Sequence, residues 1–199
     1  MSNKLFFEDK PVIGIDISQT SIKMMSVDTK HWTVTSYGSI DLDPAKASKA
    51  LEGDPAYLAD NITALLKEKR FGKMPSDHVV LSVPSSKTYS RTFSLPTKNL
   101  KHIQDAIALE VEQYIPVPLG QLYLDHQILS QTKESASVQI CAVPRTLADA
   151  CIAAAQTADL RVVLVEPGVN AIARLLSFTE DGTLPTVIVD IGPAITDIA

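Results

Sequence analysis

Two strand–turn–strand segments near opposite ends of the chain each carry an aspartate followed by small polar residues. The candidate binding residues are Asp16, Ser18, Gln19, Thr20, Ser21 and Lys23 in the first segment, and Asp190, Gly192 and Thr196 in the second. In each segment an apolar strand would fix the carboxylate, and the turn would supply backbone N–H groups and hydroxyls. This combination can hold a metal-bound phosphate group. The two segments therefore predict that two carboxylates meet at one nucleotide.

A third acidic residue, Glu166, lies between these segments in the sequence. It follows the apolar run 160–165 and precedes Pro167, so we expect it at the end of a strand that leads into a helix. A carboxylate in that place could orient a water molecule for attack on a γ-phosphate. Each of the three features, taken alone, is also typical of a plain turn or helix start. Their order and spacing favour a shared site.

The elements that must position these residues follow from the hydrophobic pattern. Strands are predicted at 12–17, 21–27, 32–42, 78–83, 87–95, 121–130, 136–143, 160–165 and 186–190, with helices from Asp54, at 99–114, at 146–158 and at 167–176. Asp54 is the expected N-cap of the first helix, with Pro55 as its first residue. Phe71–Gly72 is expected to end that helix. The order of elements predicts an α/β fold that a small α+β block interrupts.

This interruption predicts three parts along the chain. Residues 1–83 form the first part of a core, 84–158 an inserted subdomain, and 159–199 the second, truncated part of the core. The insert is expected because its βαββα order differs from the α/β pattern on either side.

Composition sets limits on the class of protein. The chain has 199 residues, 45% of them hydrophobic and 21% charged, and a net charge of −5. That charge argues against a general nucleic-acid binder, because no basic field would displace counterions. Cys141, Cys151 and the four histidines show no metal-ligand spacing, and two cysteines fit a reducing cytoplasm. The polar start and the absence of a long apolar run predict membrane association only through partners.

The three segments together resemble the actin-like ATPase superfamily, which includes actin, the 70-kDa heat-shock proteins, sugar kinases and the bacterial cell-division protein FtsA. Ile13–Lys23 is similar to its first phosphate loop, Glu166–Leu176 to its first connecting helix and Val189–Ala199 to its second phosphate loop. The resemblance implies an actin-like (ribonuclease H-like) mixed sheet with flanking helices. It also implies ATP as the nucleotide, Mg²⁺ held through water by Asp16 and Asp190, and Glu166 as the catalytic, water-positioning residue.

The inserted block resembles the PilM family of type IV pilus assembly proteins. The stretch Ala106–Leu119, with its Glu-x-x-x-Tyr-Ile-Pro-x-Pro pattern, is the specific part, and Leu124–His126 and Cys141–Arg145 are also similar. The resemblance covers nearly the whole chain but only the first half of a PilM. It implies a cytoplasmic adaptor, peripheral to the inner membrane, that binds the short N-terminal cytoplasmic tail of the membrane protein PilN. Other pilus-assembly proteins and a second copy of the chain are further expected partners.

The phosphate loops depart from the superfamily pattern. Members usually have glycine where this chain has Ser18, and further glycines where it has Pro193 and Ala194. Proline removes an N–H donor, and Cβ atoms restrict the approach of a phosphate. Loss of one charge-assisted donor costs about 1.5–3 kcal/mol of affinity. That loss does not exclude binding at millimolar ATP. The second half, which closes over the adenine and ribose in actin-like proteins, is missing here. We therefore expect little or no ATP binding and no activity by this chain alone, and at most a weak ATPase in a full-length protein.

Three functions compete at this point. The first is a structural adaptor that binds PilN in a groove, with the strand at 88–95 and the helix at 146–158 as candidate walls. The second is an ATP-dependent phosphotransferase of the sugar-kinase type, which would need a dedicated catalytic base beside a substrate hydroxyl. The third is an FtsA-like cell-division filament protein, which should carry an amphipathic helix for the membrane.

Overall fold

A computed structural model of the chain describes residues 10–177 and 186–198. The chain divides into two compact units, Met1–Pro84 with Asp149–Ala199, and Ser85–Ala148. The subdomain limits expected from the sequence, 84 and 158, stay a prediction.

The described residues contain eleven strands and five α-helices. In chain order the strands are β1 (Ile13–Ile17), β2 (Ser21–Asp28), β3 (Thr33–Asp41), β4 (Arg70–Gly72), β5 (His78–Val83), β6 (Tyr89–Pro96), β7 (Leu122–Gln131), β8 (Ser135–Pro144), β9 (Arg161–Pro167), β10 (Val189–Ile191) and β11 (Thr196–Ile198), and the helices are α1 (Pro44–Ala50), α2 (Ala56–Ala64), α3 (Ile103–Tyr114), α4 (Arg145–Thr157) and α5 (Gly168–Ser177). A π-helical turn, Leu65–Lys69, follows α2 and leads into β4.

The first unit is built on a six-stranded sheet with the order β4-β3-β2-β1-β5-β9. The strands β1 to β4 pair antiparallel as a meander, whereas β5 lies parallel to β1, and β9 lies parallel to β5. Parallel pairing requires long connections. The connection from β1 to β5 contains α1 and α2, and the connection from β5 to β9 ends with α4. The sheet is therefore mixed, which confirms the predicted α/β class.

The two faces of this sheet differ in burial. Ile13, Ile15 and Ile17 alternate with more exposed residues along β1 and are almost fully buried, and the same alternation recurs along β5. On the opposite face, neighbouring strands align a single row of residues, namely Phe71, Tyr37, Met25, Gly14, Val80 and Leu164. The Phe71, Tyr37, Met25 and Leu164 side chains of this row are exposed by 63, 52, 51 and 45%. We call it the open row.

The second unit is a three-stranded antiparallel sheet, β6-β8-β7, with helix α3. Ile107 and Val111 of α3 are buried with the strand residues Leu95, Val138 and Ile140 in one hydrophobic cluster. The strand residues of this cluster alternate along their strands, so they share one face of the sheet. The other face is polar: Thr92, Gln139 and Gln127 lie side by side across it.

The structure differs from the expectations for the first unit at three places. Helix α1 was not predicted, and Asp43 caps it by accepting hydrogen bonds at Oδ1 from the N–H groups of Ala45 and Lys46. The expected Asp54 cap is wrong, because α2 begins at Ala56 with Pro55 at the cap position and no side-chain capping bond. Phe71–Gly72 is also not a helix end but part of edge strand β4.

Candidate functional site

Four polar residues lie side by side at one end of the six-stranded sheet. The strand register pairs Lys23 with Asp16, Asp16 with Ser82, and Ser82 with Glu166. Register partners on neighbouring strands project from the same face, so the four residues form one polar row. Strands are spaced about 4.8 Å apart, which places the Cα atoms of Asp16 and Glu166 about 10 Å from each other. The structure therefore places Glu166 in one row with Asp16 and Lys23 of the first predicted segment.

Ser82 is the member of the polar row that sequence reasoning missed. Its Oγ donates a hydrogen bond of 2.7 Å to Asp16 Oδ1, so it fixes the carboxylate at the end of β1. In the sequence Ser82 stands between Leu81 and Val83 and is typical of the less buried face of a strand. Only the parallel pairing of β1 with β5 reveals that it faces Asp16.

Glu166 is buried at the end of β9, with an 8% exposed residue surface. Its Oε1 accepts a hydrogen bond of 2.5 Å from Nη2 of Arg174, which lies on helix α5. This ion pair holds the pKa of the Arg174 guanidinium above its usual value. The water-positioning role of Glu166 stays a prediction, but the carboxylate already has a strong, charge-assisted partner.

The turn between β1 and β2 is organised around the Ser18 hydroxyl. Ser18 Oγ accepts hydrogen bonds from the N–H groups of Thr20 at 3.3 Å and of Ser21 at 3.0 Å. It also donates to the Ser21 carbonyl at 3.0 Å, and the Ser18 N–H donates to the same carbonyl at 2.9 Å. The hydroxyl oxygens of Thr20 and Ser21 lie 3.5 and 3.3 Å from Ser18 Oγ. Three of the predicted binding residues are thus bonded to each other.

The second predicted segment forms the hairpin β10–β11, which is a separate two-stranded sheet. Asp190 pairs directly with Asp197 across this hairpin, and Ile191 pairs with Thr196. In its turn, the Gly192 N–H donates a 2.9 Å hydrogen bond to the Ile195 carbonyl. Asp190, Gly192 and Thr196 are exposed. Among the strands described, none of the six-stranded sheet pairs with this hairpin, and a common site for Asp16 and Asp190 stays a prediction.

These contacts allow a test of whether the predicted ATP and Mg²⁺ fit the residues present. A phosphate cradle needs several unengaged N–H groups that converge on one point. The Thr20, Ser21 and Gly192 amides are instead bonded within their own turns. Residues 10–177 and 186–198 also contain no cluster of three or more acidic, histidine or cysteine residues suited to a metal ion. As arranged here, the Thr20, Ser21 and Gly192 amides are not free to bind a triphosphate.

The motif in the second unit has a direct structural explanation. Glu110 and Tyr114 lie one helical turn apart on α3, and both contact Arg91 of strand β6. The Arg91 guanidinium lies 3.4 Å from the centre of the Tyr114 ring, and its Nε lies 3.9 Å from Glu110 Oε2. The helix then ends at Ile115, whose buried side chain joins the hydrophobic cluster. The motif therefore joins helix α3 to strand β6.

Two solved structures share the fold of this chain. A solved "PilM-PilN type IV pilus biogenesis complex" matches 94% of this chain with a TM-score of 0.75 and 24% sequence identity. The cytoplasmic domain of EpsL, an inner membrane component of the type II secretion system of Vibrio cholerae, matches 80% of it with a TM-score of 0.53 and 17% identity. The chain spans 57 and 58% of the length of those two chains. The likeness to the first structure confirms the predicted fold.

Two further comparisons bear on the identity of the chain. No curated protein matches this sequence. Across the described residues, no helix has both the length and the apolar character that crossing a membrane requires. The family Type IV pilus assembly protein PilM matches residues 14–199, which include both predicted phosphate turns and the whole of the second unit. The chain therefore belongs to the PilM family of type IV pilus assembly proteins.

Proposed function

We propose that this chain is the PilN-binding part of an adaptor for type IV pilus assembly. The observation that carries the proposal is the family match over residues 14–199, together with the structural likeness to a PilM solved with PilN. The partner in this proposal is the N-terminal cytoplasmic tail of PilN. Such a tail would hold the adaptor at the cytoplasmic side of the inner membrane without any membrane segment of its own. Other pilus-assembly proteins and a second copy are further partners in the proposal.

Strand β6 is the proposed docking element for the tail. It is an edge of the three-stranded sheet, because β8 lies on one side of it and no strand of that sheet on the other. Only Leu95 of its eight residues is buried. An edge strand presents a row of backbone donors and acceptors to which an extended peptide can add as a further strand. Arg91, held between Glu110 and Tyr114, keeps this strand fixed on helix α3.

The adaptor role does not require phosphoryl transfer. The Thr20, Ser21 and Gly192 amides are engaged within their turns, and the carboxylate of Glu166 is paired with Arg174. We therefore propose that this chain alone neither binds ATP firmly nor hydrolyses it. Of the three functions considered from the sequence, family membership favours the adaptor over the sugar kinase and the cell-division filament.

A titration with a peptide from the cytoplasmic start of PilN of the same genome tests the proposal. We expect a dissociation constant in the micromolar range by calorimetry. A set of peptides, each N-methylated at one backbone amide, should lose affinity at every second residue, because alternate amides of an added strand point to the sheet edge. A folded sample that binds no PilN peptide would refute the adaptor. An N-methyl series without alternation would refute strand addition while leaving the partner intact.

A matched pair of variants tests the choice of β6. Thr92 and Gln127 occupy the same row of the polar face, on the two opposite edge strands β6 and β7. Lysine on an edge strand discourages the addition of another strand. We expect Thr92→Lys to weaken PilN binding at least tenfold and Gln127→Lys to leave it within about twofold. The reverse ranking would place the tail on β7.

A further inference from the structure

The hydrogen bonds of the β1–β2 turn use the whole bonding capacity of one side chain. A serine hydroxyl has one O–H donor and two acceptor lone pairs. Ser18 Oγ donates to the Ser21 carbonyl and accepts from the Thr20 and Ser21 amides. It therefore occupies the place, relative to these two amides, that the oxygen of a bound anion would take. The side chain is half-buried in this position rather than turned towards solvent.

In the second turn, a backbone carbonyl engages one amide. The Gly192 amide is bonded to the Ile195 carbonyl at 2.9 Å, and the next residue, Pro193, has no N–H group. A Cβ atom on Gly192 would lie only 2.9 Å from that same carbonyl oxygen, so the turn is tight. In the first turn, the adjacent amides of Thr20 and Ser21 are both engaged. The difference is that the first turn is closed by a side chain, which a single substitution can remove.

We propose that Ser18 is an internal ligand that closes the β1–β2 turn to phosphate. A phosphate oxygen can reach the two amides only if the Ser18 hydroxyl leaves both of them and the Ser21 carbonyl. The side chain is attached at the turn itself, so it competes with any free anion at every concentration of that anion. This inference does not rest on the PilN-binding role, and it assigns to Ser18 the control of anion access at the end of strand β1.

Amide hydrogen exchange of the whole chain tests the first half of this proposal. The Ser21 amide, bonded at 3.0 Å, should be protected in the wild-type protein. Ser18→Gly should raise its exchange rate at least tenfold, whereas Ser18→Thr, which keeps a hydroxyl at the same atom, should retain the protection. Ser18→Ala repeats the test with a Cβ present, in case the glycine variant does not fold. Equal protection of Ser21 in all the variants would overturn the proposal.

A titration with Mg·ATP, and in parallel with inorganic pyrophosphate, tests the second half. The amide resonances of Thr20 and Ser21 in the wild-type chain should not shift at millimolar ligand. In Ser18→Gly they should shift, with an affinity at least tenfold higher. Shifts of these resonances in the wild-type chain, or no gain in Ser18→Gly, would overturn the proposal. Binding of the PilN peptide should be the same for both proteins, so failure here and failure of the adaptor role are distinguishable.

Discussion

Ser36 lies in the middle of β3 with only 1% of its surface exposed. Within the described part of the chain, its Oγ has no hydrogen-bond partner. A buried hydroxyl without a partner has lost its hydrogen bonds to water and formed no new ones, which costs about 1–3 kcal/mol of folding stability. We therefore expect Ser36→Ala to raise the free energy of unfolding by about 1 kcal/mol in urea denaturation. Ser39→Ala, at an exposed position of the same strand, should change it by less than about 0.5 kcal/mol. A destabilised Ser36→Ala would show that the hydroxyl is bonded.

At the residue scale, Asp77 is expected to make the stability of the fold depend on pH. Its carboxylate contacts His78 Nδ1 at 2.9 Å, Arg161 Nε at 3.0 Å and Lys10 Nζ at 3.6 Å. The hydrogen bond to His78, followed by its own backbone amide and the two cations, lowers the pKa of Asp77 below its usual value.

This lowered pKa has a predictable consequence for stability. A carboxyl group whose pKa is lower in the folded state stabilises the fold above its unfolded pKa, near 3.9, and loses that effect as the pH falls through the folded value. Asp77→Asn should therefore unfold at lower urea than wild type at pH 7. The two midpoints should converge below about pH 4. A constant difference between the midpoints down to pH 2 would contradict this assignment.

At the scale of elements, Arg91 adds a polar contact to the hydrophobic packing between α3 and β6. Its guanidinium stacks on Tyr114 and approaches Glu110. A cation over an aromatic ring at a partly exposed site contributes about 0.5–1 kcal/mol. We expect Tyr114→Leu to lower the stability of the second unit by about that amount, and Arg91→Met to do the same. The double variant should lose less than the sum of the two, since the same contact is removed twice. Additive losses would show that the two side chains act independently.

The residue two positions after Glu110 serves as a control for the contact with Arg91. Glu112 is exposed on the same helix. Glu112→Gln should leave the urea midpoint unchanged, whereas Glu110→Gln should lower it slightly because the contact with Arg91 weakens. Equal effects of both substitutions would indicate general helix electrostatics rather than a specific contact.

Sequence reasoning predicted the elements with strong hydrophobic alternation and missed those determined by pairing. The meander β1 to β3 follows from its alternating isoleucine, valine and methionine residues. Helix α1, by contrast, is only seven residues long and too short to show a helical period. Two Asp-Pro pairs precede helices, at Asp43 and Asp54, but only Asp43 bonds the first-turn amides. Sequence alone does not distinguish them, because a cap depends on backbone geometry that neighbouring elements set.

The candidate site shows the same division. Asp16 and Glu166 were predicted because the order and spacing of their segments along the chain favour a shared site. Ser82 and Arg174 were not, because a serine in a strand and an arginine in a helix are ordinary. Their roles depend on the parallel pairing of β5 and on the position of α5 beside β9, both of which are long-range features.

At the scale of the whole molecule, a buried thiol reports on unfolding. Cys151 lies on α4 with no exposed surface, and burial raises its pKa to about 12. Thiols react as thiolates, so a native Cys151 should be inert at neutral pH. In a Cys141→Ser background, labelling by a thiol reagent should follow the urea unfolding curve of the first unit. Rapid labelling without denaturant would show that α4 opens locally.

The open row on the six-stranded sheet has a practical consequence for such measurements. Phe71, Tyr37, Met25 and Leu164 present exposed hydrocarbon and ring surface across one face of a folded sheet. Dyes such as anilinonaphthalene sulfonate usually report loosened packing by binding exposed apolar surface. Their fluorescence should increase in the presence of the native chain. Their fluorescence should fall as urea unfolds the sheet, which is the opposite of the usual assay. Strong dye fluorescence from this protein therefore does not indicate misfolding.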